Sequence, residues 1–196
     1  MTTEIRQTTR AVGALTGEPQ FERFGSLAAL TETLSELRRP PTLEELEGWL
    51  QTLRVEADEL RPYVSFKEWT YARHRVFRNE WVELLVLCWR PGQRTPIHDH
   101  NGSYGVVCVH EGVMWETLFT LDAEGLSYQT ARELTGGQLT GADVPDIHQL
   151  GNPDVSGRNL VTLHLYAPPL KTINTYRIGR TEQTGTLCLN SWNPTI

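Results

Sequence analysis

The chain has 196 residues, 39% hydrophobic and 21% charged, with 16 Gly and 11 Pro, which describes a globular single domain with a sizeable core, neither disordered nor fibrous. Eighteen Lys plus Arg against 24 Asp plus Glu give a net charge of −6, the opposite of the basic excess that nucleic-acid binding requires, so no nucleic-acid partner is expected. The longest apolar stretch, Leu84-Leu85-Val86-Leu87-Cys88-Trp89, is far short of the roughly 20 residues of a membrane span, so no membrane association is expected either. Residues Met1 to Arg6 lack the apolar run of a secretion signal, and Cys88, Cys108 and Cys188 are too far apart for a CxxC pair or a disulfide framework. Both features lead to the expectation of a cytoplasmic protein.

In chain order, about 20 to 62 reads as helical. Ser26 precedes Leu27, Leu30, Leu34 and Leu37 at helical spacing, and Arg39-Pro40-Pro41 is expected to stop that helix. Thr42 followed by Glu45 forms a capping box ahead of the apolar face Leu43, Leu46, Trp49, Leu50 and Leu53. A third short helical piece is expected from Val55 to about Leu60. From about 66 to 180 short Val-, Leu-, Tyr- and Trp-rich runs are separated by Pro-Gly, Asn-Gly, Glu-Gly and Gly-Gly pairs. Strands are expected at Trp69–Val76, Trp81–Trp89, Tyr104–His110, Trp115–Leu121, Glu133–Leu139, Asp146–Leu150 and Leu160–Tyr166. This spacing predicts an antiparallel sandwich or barrel with the helices packed outside it as part of the same domain. The segment after Tyr176 carries no clear pattern.

The chemistry concentrates at His98-Asp99-His100. On an extended strand the two imidazoles point to one face, a natural half-site for a first-row divalent metal. His148, on a later strand, is the candidate third ligand; a chance surface pair is the alternative. Thr162, His164 and Tyr166 alternate along one strand and so share a face, where a hydrogen-bonded relay would satisfy all three. His164 could instead be a fourth ligand or a satisfied core histidine. His74, opposite Arg73 in alternation, and His110, beside a turn, are expected to lie off the site, and Cys88 and Cys108 to be core thiols.

Gly92, His98, His100 and Gly112, at the spacing G-x5-HxH-x11-G, resemble the first cupin motif, with Gly105 where that motif has Glu; His148 and Asn152 resemble the end of the second. More narrowly, Ile97-His98-Asp99-His100, Glu116-Thr117-Leu118-Phe119 and Leu163-His164-Leu165-Tyr166-Ala167-Pro168-Pro169 resemble the cysteine dioxygenase type I family of thiol dioxygenases, over about half the chain. The resemblance implies a mainly β fold, a cupin double-stranded jelly-roll barrel with a helical N-terminal segment outside. It also implies an Fe(II) centre on His98, His100 and His148. Thr162, His164 and Tyr166 would correspond to the family's Ser-His-Tyr relay, and Tyr71-Ala72-Arg73 to its Tyr-x-Arg, whose Arg receives the substrate carboxylate. Mammalian members carry Cys where this chain has Gly105 and cross-link it to the relay Tyr, so Tyr166 is expected to keep a free phenol, as in bacterial members, with a slightly roomier cavity.

The implied partners are a small thiol and O2, with a monomer or weak homo-oligomer expected. The activity implied is conversion of L-cysteine to its sulfinate, with a 3-mercaptopropionate or other thiol-acid dioxygenase as the alternative. Because fold alone does not imply catalysis, a metal-dependent cupin binding or sensor protein remains the non-enzyme alternative.

Overall fold

The structure is a computed structural model and describes residues 24–143, 146–153, 155 and 157–189. Three helices lead the described chain. Helix α1 (Leu27–Ser35) is capped by Ser26, whose Oγ accepts from the Ala29 amide at 3.1 Å. Helix α2 (Leu43–Thr52) begins with the reciprocal Thr42–Glu45 capping box. A short α3 (Ala57–Leu60) runs into a 3-10 turn, Arg61–Tyr63. Helix α1 ends at Ser35, ahead of the expected Arg39-Pro40-Pro41 stop. The Leu34 carbonyl there accepts from the Asn79 side chain at 2.8 Å, and Glu36 N–H turns back to Thr33. Residues 20 to 23, where the helical pattern was expected to begin, lie outside the described residues.

Eleven strands follow among the described residues: β1 (Ala72–Arg78), β2 (Glu83–Trp89), β3 (His98–Asp99), β4 (Tyr104–Glu111), β5 (Val113–Asp122), β6 (Gly125–Thr135), β7 (Leu139–Ala142), β8 (His148–Gly151), β9 (Leu160–Ala167), β10 (Thr172–Thr175) and β11 (Gly185–Cys188). They form two antiparallel sheets, β1-β2-β9-β4-β7 and β11-β10-β3-β8-β5-β6. This is the cupin double-stranded jelly roll.

The cores explain the sequence texture. On the outer face of the five-stranded sheet, Leu84, Val86, Cys88, Val106, Val161, Leu163 and Leu165 pack against Leu27, Leu30, Leu34, Leu46 and Leu50 of the helices. On its inner face, Leu85, Leu87, Trp89, Val107, Leu160 and Tyr166 meet Met114, Leu134, Leu150 and Ile173 from the other sheet. Strands β2 and β9 are therefore buried on both faces throughout, which is why Leu84 to Trp89 reads as a continuous apolar run.

The expected strand Glu133–Leu139 is two strands. A turn at Gly136 and Gly137 (φ +84°) ends β6 and starts β7, and β6 extends back to Gly125. Most of β6 is solvent-exposed and polar, at the edge of its sheet, so it carries little apolar alternation. The segment after Tyr176 supplies β11, which pairs with β10. No helix among the described residues is long and apolar enough to cross a membrane.

Candidate metal centre

Strand β3 with the residue that follows it, and strand β8, deliver three imidazoles to the space between the sheets. His98 and His100 flank Asp99, and His98 lies directly opposite His148 in the β3–β8 ladder. Alternation aims all three rings inward. Their ring centroids are 5.2, 4.8 and 5.0 Å apart, and their ligand atoms lie within 4.8 Å of one another. All three side chains are buried.

The outer ring nitrogens are each committed. His98 Nδ1 faces the Pro96 carbonyl at 3.0 Å, His100 Nδ1 faces Asp146 Oδ1 at 3.0 Å, and His148 Nδ1 faces Glu116 Oε1 at 3.1 Å. A carbonyl and two carboxylates can only accept, so each Nδ1 carries the proton and donates, leaving a bare lone pair on each Nε2. Neither His100 Nε2 nor His148 Nε2 has a hydrogen-bond partner among the described residues, although both are buried. Two orphaned buried acceptors beside a third imidazole, each oriented by an outer acceptor, are the arrangement a divalent metal satisfies. The residues fit a three-histidine metal site.

Charge is balanced behind the rings. Glu116 is fully buried (0% exposed), and its second oxygen accepts from Arg132 Nε at 2.8 Å, while Arg132 also donates to Thr140 Oγ1 at 2.6 Å. Burial pushes the Glu116 carboxyl up, but His148 and Arg132 outweigh it and hold it down to about 2. For His148, burial opposes charge, yet Asp146 and Glu116 prevail and raise its pKa. In the absence of metal, a proton therefore competes for the same lone pair. His98 goes the other way: burial, then His148 and His100, hold it well below the ordinary imidazole value.

Alongside lies a chain of hydrogen bonds on β9. Thr162 Oγ1 is 2.8 Å from His164 Nε2, and His164 Nδ1 is 3.0 Å from the Tyr166 hydroxyl. Trp89 Nε1 reaches Thr162 Oγ1 at 3.0 Å. An indole N–H only donates, so the buried Thr162 hydroxyl accepts there; its second lone pair and its own proton let it either accept from or donate to His164 Nε2, according to the His164 tautomer. Burial first, then Arg73, keeps His164 well below its ordinary pKa, hence neutral. His164 Nδ1 and the Tyr166 hydroxyl share one hydrogen bond, and the same tautomer decides which of them donates and where the phenol proton points. Burial raises the Tyr166 pKa far above its usual value, so the phenol keeps that proton. With both nitrogens engaged, His164 has no lone pair left for a fourth metal bond. The His100 and Tyr166 rings are 5.1 Å apart, which joins the two groups.

Arg73 and Tyr71 complete the cluster. Arg73 sits on β1 opposite Leu87, half-buried, and its charge is felt at Tyr71, His164 and Tyr166. Among the described residues its guanidinium makes no hydrogen bond or ion pair. Tyr71 stacks on Trp89 at 4.2 Å. All eight residues singled out in the sequence thus gather between the sheets. His74 points away, with Nε2 3.0 Å from Ser65 Oγ; His110 is half-buried, and Cys108, expected in the core, is only partly buried. Glu116, Asp146 and Trp89 are the neighbours not identified from sequence.

Gly105 corrects one expectation. It pairs with Tyr166 across β4–β9, and a Cβ built on it would lie 2.4 Å from Tyr166 Cδ1 and 2.9 Å from the Leu165 carbonyl. The tyrosine ring occupies the space a side chain would take, so the glycine does not enlarge the cavity. Gly105→Ala is expected to cost about 1–3 kcal/mol, the usual range for overpacking, measured as a shift in the denaturation midpoint; an unchanged midpoint would mean the ring yields freely. The intact mass should equal that of the unmodified sequence, and a loss of two hydrogens mapping to Tyr166 would contradict a free phenol.

A jelly roll with three inward histidines between its sheets is a cupin with a candidate metal centre. The sequence model of the cysteine dioxygenase type I family matches residues 22–178, and the chain belongs to that family. Among curated proteins it is similar to cysteine dioxygenase type 1 of Danio rerio, 25% identical over 178 residues, covering 86% of this chain and 87% of the relative. It is likewise similar to the proteins of that name from Homo sapiens (27% over 139 residues, 68% and 69% covered) and Rattus norvegicus (29% over 141 residues, 68% and 69% covered). Among solved structures it is similar to a Klebsiella pneumoniae protein with a double-stranded beta-helix domain, at 19% identity and TM-score 0.46, covering 56% of this chain and 81% of that one.

Proposed function

We propose that this protein is an Fe(II)-dependent thiol dioxygenase that acts on L-cysteine and O2 to give cysteine sulfinate. The observation that carries the reading is the meeting, in one buried space, of three imidazoles with bare Nε2 atoms, a phenol hydrogen-bonded to His164, and a guanidinium without a hydrogen bond or ion pair among the described residues. In the reaction the thiol sulfur loses four electrons, O2 gains them, and both oxygen atoms end in the sulfinate. His98, His100 and His148 would hold the iron, which when bound supplies open positions for a thiolate and O2 and the electron transfer between them.

The chain's own groups do the rest. Arg73 receives the substrate carboxylate through its planar fork, which fixes the thiol end relative to the histidines. Tyr71, held by its stack on Trp89, walls the cavity beside that guanidinium. The Trp89–Thr162–His164 chain holds the Tyr166 hydroxyl in place, where it hydrogen-bonds the reacting oxygen or the substrate. Leu85, Leu87, Val107 and Leu150 keep the inner core dry around the site.

Tyr166→Phe isolates the phenol. Iron content is expected to stay at the level of the unaltered protein while cysteine turnover falls about 100-fold, the order of effect of removing one preorganised donor. Unchanged turnover with full iron would remove Tyr166 from the chemistry.

A further inference from the structure

Strand β3, which carries His98 and is followed directly by His100, is only two residues long, and the side chain between the two histidines faces away from the metal site. Asp99 is 7% exposed, yet among the described residues no cation pairs with it. Its carboxylate instead takes three neutral donors: the Asn101 amide at 2.8 Å, Asn174 Nδ2 at 3.1 and 3.3 Å, and the Tyr176 hydroxyl at 2.5 Å. A buried carboxylate is costly unless its lone pairs are filled, so this group is held tightly where it is.

Two of those donors come from β10 and the residue that follows it, more than seventy positions along the chain. The backbone repeats the attachment. Asn174 pairs with Asp99 and Thr175 with His98, and Tyr176 N–H donates to the Ile97 carbonyl at 3.0 Å. The turn after His100 is tied to the same strand, since Asn101 Nδ2 donates to Thr172 Oγ1 at 2.7 Å. On its other side β3 meets β8 only at His98–His148. A strand this short has too few ladder bonds to set its own position, so β10 sets it.

We infer that Asp99, gripped by Asn174 and Tyr176, is the positioning residue that fixes His98 and His100 for the metal. Residues 172 to 176 thereby belong to the metal centre without touching it. The inference rests on the three-histidine metal reading. Its energetic basis is preorganisation: ligands already in place lose no freedom when the ion binds.

The test uses the full chain, with Co(II) as the probe and affinity read by chelator competition and by the Co(II) absorption spectrum. Each protein is measured at a temperature where circular dichroism finds it folded. Asp99→Asn turns an acceptor toward Asn174 into a second amide donor. Co(II) affinity should fall about 10-fold or more, the scale typical of losing an outer partner of a metal ligand. The exchange Asp99→Asn with Asn174→Asp faces donor to acceptor again and should restore most of the loss. Tyr176→Phe, which removes a single hydroxyl, should weaken Co(II) binding several-fold and covers the case in which Asp99→Asn does not fold. A lowered denaturation midpoint with unaltered Co(II) affinity in these variants would overturn the inference, as would a double variant that binds no better than Asp99→Asn. If the unaltered protein bound no Co(II), the metal reading itself would fall, a result distinct from either.

Discussion

His148→Ala is expected to remove bound iron and thiol turnover together. The loss should exceed the roughly 10- to 100-fold drop in affinity that follows removal of an outer hydrogen-bond partner, because a ligand atom itself is gone. The substitution also strips one partner from the fully buried Glu116, leaving Arg132 to hold it. An unsatisfied buried acceptor costs about 1–3 kcal/mol, so the denaturation midpoint must be recorded beside the iron content. His148→Gln serves as the control, since it keeps a polar side chain near Glu116 while replacing the imidazole. Retained iron and turnover in His148→Ala would send the search for a third ligand elsewhere. His164 is a poor substitute, because Thr162 and Tyr166 occupy both of its nitrogens.

Arg73→Ala is expected to lower kcat/KM for cysteine by roughly 30-fold or more. Removing one member of a buried, hydrogen-bonded charge pair costs about 2–5 kcal/mol, and every 1.4 kcal/mol or so is a factor of ten. The structure strengthens the case for a substrate partner, since the Arg73 guanidinium is half-buried and makes no hydrogen bond or ion pair among the described residues. Arg75, two residues on, differs in being anchored to Glu83 at 2.9 Å. Arg73→Gln keeps a donor but loses the charge and the fork. Cysteamine, which has no carboxylate, should suffer far less than cysteine in both variants. Equal losses for the two thiols would mean that Arg73 supports the fold or the Tyr166 chain instead of the substrate.

What is legible in the sequence follows from periodicity. A strand puts every second residue on one face, so spacing alone groups His98 with His100, and Thr162 with His164 and Tyr166. The Thr42–Glu45 capping box and the apolar runs of β2 and β9 are local in the same sense. The missing parts depend on which strands become neighbours. Asp146 meets His100 across 46 positions and Glu116 meets His148 across 32, and neither acid is distinguishable from a surface carboxylate by type or spacing. Tyr176 reaches Asp99 across 77 positions. Strands β6, β10 and β11 are polar or short, and their pairing partners give them away only in three dimensions. The Gly105 result is similar: a glycine in place of a larger side chain suggested extra room, and the register that sets Tyr166 opposite it removes that room.

The most direct measurement is a panel of thiols under air with the iron-loaded protein, following O2 uptake and product by mass spectrometry with isotope-labelled O2. Cysteine, 3-mercaptopropionate, cysteamine and a thiol lacking both amine and carboxylate cover the recognition groups. The account predicts that cysteine is turned over most efficiently, with one O2 consumed per sulfinate and both labelled atoms in the product. Preference for 3-mercaptopropionate would contradict the assignment to cysteine. No O2 uptake with any thiol, by protein that holds its iron, would contradict the dioxygenase itself and leave a cupin that binds metal without turnover.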